Sequence, residues 1–358
     1  MGHYHLSRSE EYPVSMITDA RVLRTEFVPR EVVHRNAEVN HLSRVLSPLN
    51  AGETPDPAIV TGPSGAGKTC IARFTADRLR EERLDVHTQY VNCWQDFTRF
   101  RAIYRILDGL GEAVDVHRQS TPKDELIERL RRHDGPPCVI ILDEADQLED
   151  RDVLYDLHQL PGFAMILIAN REEELFTGVD ERVSSRLLGC PRIQFDRYGV
   201  SELVEILALR ARNGLIEGGI ERAELERIAD AAAGDARVAL SILRNAARAA
   251  DAAGAERISR DLVDDAIPDA RLEIRQKNLD VLTPHQRTLY DIIDEYGEIS
   301  PRRLSEVYAE RVDEPKTDRT LRNYLGKMER YNLIVANGST RDRTFRLPEA
   351  DRPSARSG

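Results

Sequence analysis

Long apolar runs are missing from this sequence of 358 residues. No stretch approaches the roughly 18–20 apolar residues that a membrane span requires, so no membrane partner is expected. The opening MGHYHLSRSE lacks the apolar segment of a secretory signal. Leu6 stands where N-myristoylation needs Ser or Thr. The expected location is the cytoplasm, in association with the nucleoid. Cysteine is scarce too. Cys70, Cys93, Cys138 and Cys190 are scattered, with no Cys-x-x-Cys pair. That argues against a disulfide framework or a zinc centre and suits small buried hydrophobes in a reducing compartment. Lysine is the third shortage. Only five of 51 cationic residues are Lys (68, 123, 277, 316 and 327), and 62 acids give a net charge of −11. Abundant Asp and Glu with little Lys is the composition of a chain adapted to high salt, although a GC-rich genome also favours Arg.

The acidity is uneven. Residues 1–277 hold 37 bases against 48 acids, whereas residues 278–358 hold 14 of each. Between Pro315 and Arg346, eight Lys or Arg face three acids, a local net charge of +5. A cationic island in an acidic chain points to a polyanionic partner.

The length predicts two or three domains. Residues 1–26 are polar and weakly periodic, the pattern of a flexible arm. Phe27 to Leu49 reads as helical and residues 50–57 as a loop. Short apolar strands then alternate with helices: AIV (58–60), a helix over 70–82, a strand at 85–93, and apolar runs at 138–146, closing on acids, and 164–170, ending in Asn. This predicts an α/β domain over 27–197, a parallel sheet with helices on both faces. From Gly199 the strands stop. Ala-rich amphipathic stretches, punctuated by Gly214, Gly218-Gly219 and Gly254, predict an all-α lid over 198–270. Residues 268–282 read as a connector. Thr283, Pro284 and Gln286 then form a capping-box start. Three short helices followed by a hairpin around Asn337-Gly338 predict a winged helix-turn-helix domain over 278–347, with a disordered tail over 348–358.

Gly62 to Thr69 reads GPSGAGKT and lies between a strand and a helix, which is the context of a P-loop. Backbone N–H groups of Gly65, Ala66, Gly67, Lys68, Thr69 and Cys70 would cradle the phosphates of ATP at a helix N-terminus. Lys68 would reach the β- and γ-phosphates, and Thr69 would ligate Mg²⁺. The strand VIILDEAD brings the acids such a site needs. Asp143 would hold Mg²⁺, and Glu144 would orient or deprotonate the attacking water. The literal DEAD does not indicate a helicase, because no second nucleotide-handling α/β lobe follows. Asn170 ends the next strand, where it could bond the γ-phosphate or the lytic water; a strand-end Asn is also a common turn former.

These residues resemble an AAA+ ATPase, and more narrowly the archaeal origin-recognition (Orc/Cdc) replication initiator family, as found in haloarchaea. The resemblance runs from about Val22 to Leu347, with EFVPREVVHRNAEVNHL before the P-loop, DEADQLEDRDVLYDL, ILIANREEELFTGVDERVSSRL, FDRYGVSELVEILALR and GDARVALSILRNAA in the family's order. It implies that Arg237 is the sensor-2 arginine, that Tyr198 and Arg210 contact nucleotide from the lid, and that Arg186 is an arginine finger for a neighbour's ATP, with Arg182 as competitor. Self-association through that finger follows. Ala66 departs from the family, which often has Thr there. The family's helical insertion, near 97–110, is hard to delimit.

On a helical wheel with Leu321 at zero, Leu325 and Met328 fall within about 40° of it. Lys316, Arg319, Arg322, Asn323, Lys327 and Arg330 lie on the opposite face, between about 100° and 240°. That is the layout of a recognition helix for a major groove. Asn323 would read adenine and Arg319 or Arg322 guanine. Arg341 and Arg343 would sit at the wing tip, within reach of a minor groove or phosphates. The expected function is a DNA replication initiator with weak ATPase activity that binds origin repeats in double-stranded DNA, is switched by ATP, and helps recruit the replicative helicase. The alternatives are a DNA-binding ATPase serving transposition or plasmid maintenance, and a regulatory paralogue acting by protein contacts.

Overall fold

Five strands align in one parallel sheet: β1 (Ala58–Thr61), β2 (His87–Asn92), β3 (Cys138–Asp143), β4 (Phe163–Ala169) and β5 (Arg192–Gln194), in the order β2-β3-β4-β1-β5. The computed structural model describes residues 15–82, 85–117, 121–177, 179–338 and 343–348. Residues 1–14 of the expected arm, Arg341, and the tail from 349 lie outside the described residues. Every residue of β3 and β4 is buried, because helices cover both sheet faces. Side chains along β3 alternate between two cores, as strand geometry demands. Val139 and Ile141 pack with α1 (Asn36–Leu46) and α2 (Lys68–Glu82). Ile140 and Leu142 pack on the other face. That face is covered by α3 (Arg99–Leu110), α4 (Lys123–Arg131), α5 (Asp152–His158), α6 (Glu172–Phe176) and α7 (Glu181–Leu188).

Two expectations change here. The helical stretch from Phe27 narrows to α1, followed by a 3₁₀ turn over Ser47–Ala51. Pro29 disfavours helix at Val28, and residues 25–29 and 31–33 instead wall a cavity. β5, with three residues, is too short to leave a periodic signal.

The lid consists of α8 (Val200–Gly214), α9 (Arg222–Ala232), α10 (Ala236–Ala252) and α11 (Arg260–Asp280). Its core contains Met16 and Leu23, at 1% and 0% exposure. Ile216 N–H donates to Met16 O at 3.0 Å, and Thr18 N–H to Gly214 O at 3.0 Å. Residues 15–26 are therefore part of the lid and not an arm. A few apolar residues without a period were enough to anchor them. The expected connector also disappears, because α11 runs on through Pro268 to Asp280.

The C-terminal domain comprises α12 (Pro284–Tyr296), β6 (Glu298–Ile299), α13 (Pro301–Arg311), α14 (Asp318–Arg330), β7 (Val335–Asn337) and β8 (Thr344–Arg346). The strands pair antiparallel in the order β6-β8-β7. The capping box is present: Gln286 N–H donates to Thr283 Oγ1 at 3.4 Å, and Thr283 N–H to Gln286 Oε1 at 3.1 Å. Ser300 and Thr317 cap α13 and α14 through their hydroxyls alone, accepting from Arg303 N–H and Thr320 N–H. The core holds Leu289, Ile292, Tyr308, Leu321, Leu325, Met328 and Phe345. Trp94, the single tryptophan of the chain, comes from the loop after β2 yet belongs to this core. Among the described residues, no helix is long and apolar enough to cross a membrane.

Candidate functional site

The sheet order sets the site. β1 pairs with β4, with Thr61 opposite Ala169, and β2 pairs with β3, with Asn92 opposite Asp143. The loop after β1, the end of β3 and the residue after β4 thus meet at one sheet edge, where the strand order reverses and α/β proteins bind ligands. A cavity of about 400 Å³ opens there. One end is walled by Phe27, Val28, Pro29 and Ile206, the other by Lys68, Thr69, Asp143 and Asn170.

Gly65 and Gly67 adopt φ of 75° and 91°, the left-handed region that glycine favours. A Cβ on Gly65 would lie 1.9 Å from Asp235 Oδ1. The loop thereby presents its amides at the N-terminus of α2 while the lid lies against it. Lys68 is buried, and its Nζ donates to Gly62 O at 2.6 Å, Pro63 O at 2.8 Å and Asn170 Oδ1 at 3.1 Å. Burial pushes its pKa down to about 8 despite the nearby Asp143 carboxylate. Thr69 Oγ1 donates to Asp143 Oδ2 at 2.8 Å, and Tyr90 OH to the same oxygen at 2.9 Å. Burial and the adjacent Glu144 raise the Asp143 carboxyl, and the two hydroxyls partly offset this. Cys70 lines the cavity wall, and burial raises its thiol.

Glu144 sits at φ 54°, ψ 45°, a conformation uncommon outside glycine. It turns its carboxylate toward the C-terminal domain. Oε2 accepts from Lys327 Nζ at 2.9 Å, and Oε1 accepts from Tyr331 OH. Burial acts to raise the carboxyl, but Lys327 and Tyr331 outweigh it and hold it below the usual glutamate range.

On the lid side, Tyr198 is buried and lines the cavity, with the Arg35 guanidinium 4.1 Å from its ring centre. A Cβ on Gly67 would lie 2.5 Å from Tyr198 OH. Arg237 lines the cavity and pairs with Asp235 at 3.1 Å. Arg210 also lines it, but Nη1 and Nη2 donate to Val22 O and Phe27 O, each at 2.9 Å. Arg210 thus fixes the segment that walls the apolar end. Arg186 is exposed on α7 and is not among the residues lining the cavity. Arg182 is exposed and pairs with Asp180.

The basic face of α14 divides in two. Arg319, Arg322 and Asn323, in its N-terminal half, are exposed as expected. Lys327 is not: it is 1% exposed, paired with Glu144, with its Nζ 3.5 Å from the centre of the Trp94 ring. Its expected place on a DNA-facing surface is corrected accordingly. Arg330 pairs with Glu174, and Lys316 with Glu149, both acids belonging to the α/β domain. Arg343 is exposed and pairs with Glu329 at 2.9 Å. A wheel drawn for one buried face misses the second surface, which the α/β domain buries. Tyr90, Trp94, Asp235 and Tyr331 escaped sequence reasoning. Asp235 stands in GDAR beside Arg237, where only the arginine was singled out; the other three lie in no linear motif.

Comparison with known proteins agrees with this architecture. A model of the AAA domain matches residues 52–176, and the Cdc6 AAA+ ATPase-type lid domain matches residues 204–268. ORC1-type DNA replication protein 9 of Halobacterium salinarum is 56% identical over 342 residues, covering 96% of this chain and 97% of that protein. ORC1-type DNA replication protein 1 of the same organism is 54% identical, covering 86% of this chain and 100% of that protein. The solved Aeropyrum pernix ORC1 protein in complex with DNA superposes with a TM-score of 0.71 at 26% identity, covering 93% of this chain and 94% of that one. A phosphate-cradling loop, paired strand-end acids and a Cdc6-type lid, in a chain this similar to those relatives, lead to one conclusion: the protein belongs to the ORC1-type DNA replication protein family.

Proposed function

We propose that the protein is an ATP-switched replication initiator that binds repeats in origin DNA through a C-terminal winged helix-turn-helix domain. The observation that carries this is the division of labour along the chain: a P-loop cavity roofed by a lid at one end, and a cationic helix with an exposed N-terminal half at the other. The cavity fits ATP, with an apolar end for the base and a loop of amides plus Lys68 for the phosphates. Among the described residues, no cluster of three or more His, Cys, Asp or Glu could hold a metal. Thr69 Oγ1 and Asp143 Oδ2, 2.8 Å apart, would hold Mg²⁺ beside the phosphates, where it would help neutralise their charge. Glu144 acts on the attacking water, Asn170 and Arg237 respond to the γ-phosphate, and Tyr198 closes the lid side. Leu188, at the end of the same helix as Arg186, is 61% exposed and offers apolar surface for self-association. Recruitment of the replicative helicase belongs to the same proposal.

Footprinting tests the proposal. Purified protein with ATP should protect repeats at a replication origin of its host. Protection confined to transposon ends or plasmid partition sites contradicts it. Replacing Arg319 with alanine should weaken duplex binding by about 1–3 kcal/mol, read by fluorescence anisotropy. Equal affinity removes α14 from the interface. ATP binding should also be linked to protons. Phosphates beside Lys68 favour its charged form, so binding at about pH 9 takes up a proton and binding at about pH 7 does not. Calorimetry in two buffers of different ionisation enthalpy checks the sign, and heats independent of buffer at the higher pH contradict it.

A further inference from the structure

We infer that the C-terminal domain, docked as seen here, restrains the hydrolytic glutamate, and that duplex DNA releases it by drawing α14 away from the α/β domain. This rests on the proposed function and adds a regulatory link to it. The geometry comes from one rigid element. The N-terminal half of α14 carries Arg319, Arg322 and Asn323, and its C-terminal half ends in the contacts that occupy Glu144. Both oxygens of that carboxylate are engaged, Oε2 by Lys327 at 2.9 Å and Oε1 by Tyr331. A glutamate so held is drawn to the C-terminal domain and is not free to position a water.

Docking is built, not incidental. Trp94 donates from Nε1 to Gln286 Oε1 at 3.1 Å, and its ring lies 4.8 Å from that of Tyr331. Two further ion pairs, Arg330 with Glu174 and Lys316 with Glu149, fasten the same two domains.

DNA cannot share this arrangement along the whole helix. Arg319 and Asn323 face a cleft of about 270 Å³ whose far wall includes Asp146 and Glu149. A cleft of that volume admits water but not a duplex. For Arg319 and Asn323 to enter a groove, α14 must leave the cleft. A rigid helix that leaves takes Lys327 with it. By linkage, whatever favours undocking favours DNA binding, and DNA favours undocking to the same degree.

Three measurements on the full chain decide the matter. Lys327→Ala should raise ATP hydrolysis without DNA by about fivefold or more, the low end of ordinary coupling between sites, and should abolish further stimulation by duplex. Glu174→Ala should act in the same direction while touching nothing in the cavity, which covers the case in which Lys327→Ala misfolds. In the wild type, duplex DNA should expose Trp94, read as a red-shifted emission with easier acrylamide quenching. Hydrolysis unchanged or lowered in Glu174→Ala, or DNA bound with Trp94 still shielded, overturns the inference. Those results with intact ATP and DNA binding leave the initiator standing; loss of either binding in the wild type would instead remove the initiator itself.

Discussion

Replacing Lys68 with alanine abolishes ATP binding at ordinary working concentrations. Lys68 is the only cation at the phosphate end of the cavity that belongs to the loop itself, and it is already held there by Gly62 O, Pro63 O and Asn170 Oδ1. Charged hydrogen bonds are each worth about 1.5–3 kcal/mol, so losing two of them to phosphate costs about 3–6 kcal/mol, or roughly 10²–10⁴ in Kd. Titration calorimetry measures this directly. Circular dichroism controls for folding, which should survive because α2 keeps its apolar face of Ile71, Phe74 and Leu79. Unchanged ATP affinity in the folded variant defeats the assignment of the site.

Glu144→Gln separates binding from hydrolysis. Glutamine keeps the shape of glutamate but cannot take a proton, and general-base groups contribute about 10²–10⁴ in rate. Hydrolysis should fall by at least about a hundredfold, while ATP affinity stays within a few-fold of the wild type. A second consequence follows from the contact with the C-terminal domain. Lys327 is 1% exposed, and the variant removes its counter-charge. Thermal stability should drop by roughly 1–3 kcal/mol, the cost of a buried group losing its charged partner. A variant that hydrolyses ATP at the wild-type rate would show that another group handles the water.

The phosphate site was legible in the sequence because its parts are contiguous. GPSGAGKT and VIILDEAD each pack their chemistry into eight residues, and the apolar strands beside them announce a parallel sheet. Asn170 was legible for the same reason, since it ends an apolar run. Tyr90 was not, because a tyrosine in a strand has no signature until β2 lies beside β3 and its hydroxyl meets Asp143. The segment 15–26 was misjudged because Met16 and Leu23 follow no period, yet two well-placed side chains suffice to bury a segment against a lid. Lys327 shows the limit of helical periodicity. The wheel separated the core face of α14 from a charged face correctly for Arg319, Arg322 and Asn323. It could not reveal that the last turns of the helix meet a second domain. Partners brought together across 183 residues, as Lys327 and Glu144 are, leave no trace in local pattern.

The initiator account is tested most directly by mapping where the protein sits on its own genome. Chromatin immunoprecipitation of the wild type and of Lys68→Ala, aligned with replication start sites mapped independently, should show sharp wild-type peaks at one or more origins. Those peaks should shrink in the variant. Peaks that avoid every origin, or that are unchanged when ATP binding is lost, would contradict an ATP-switched initiator.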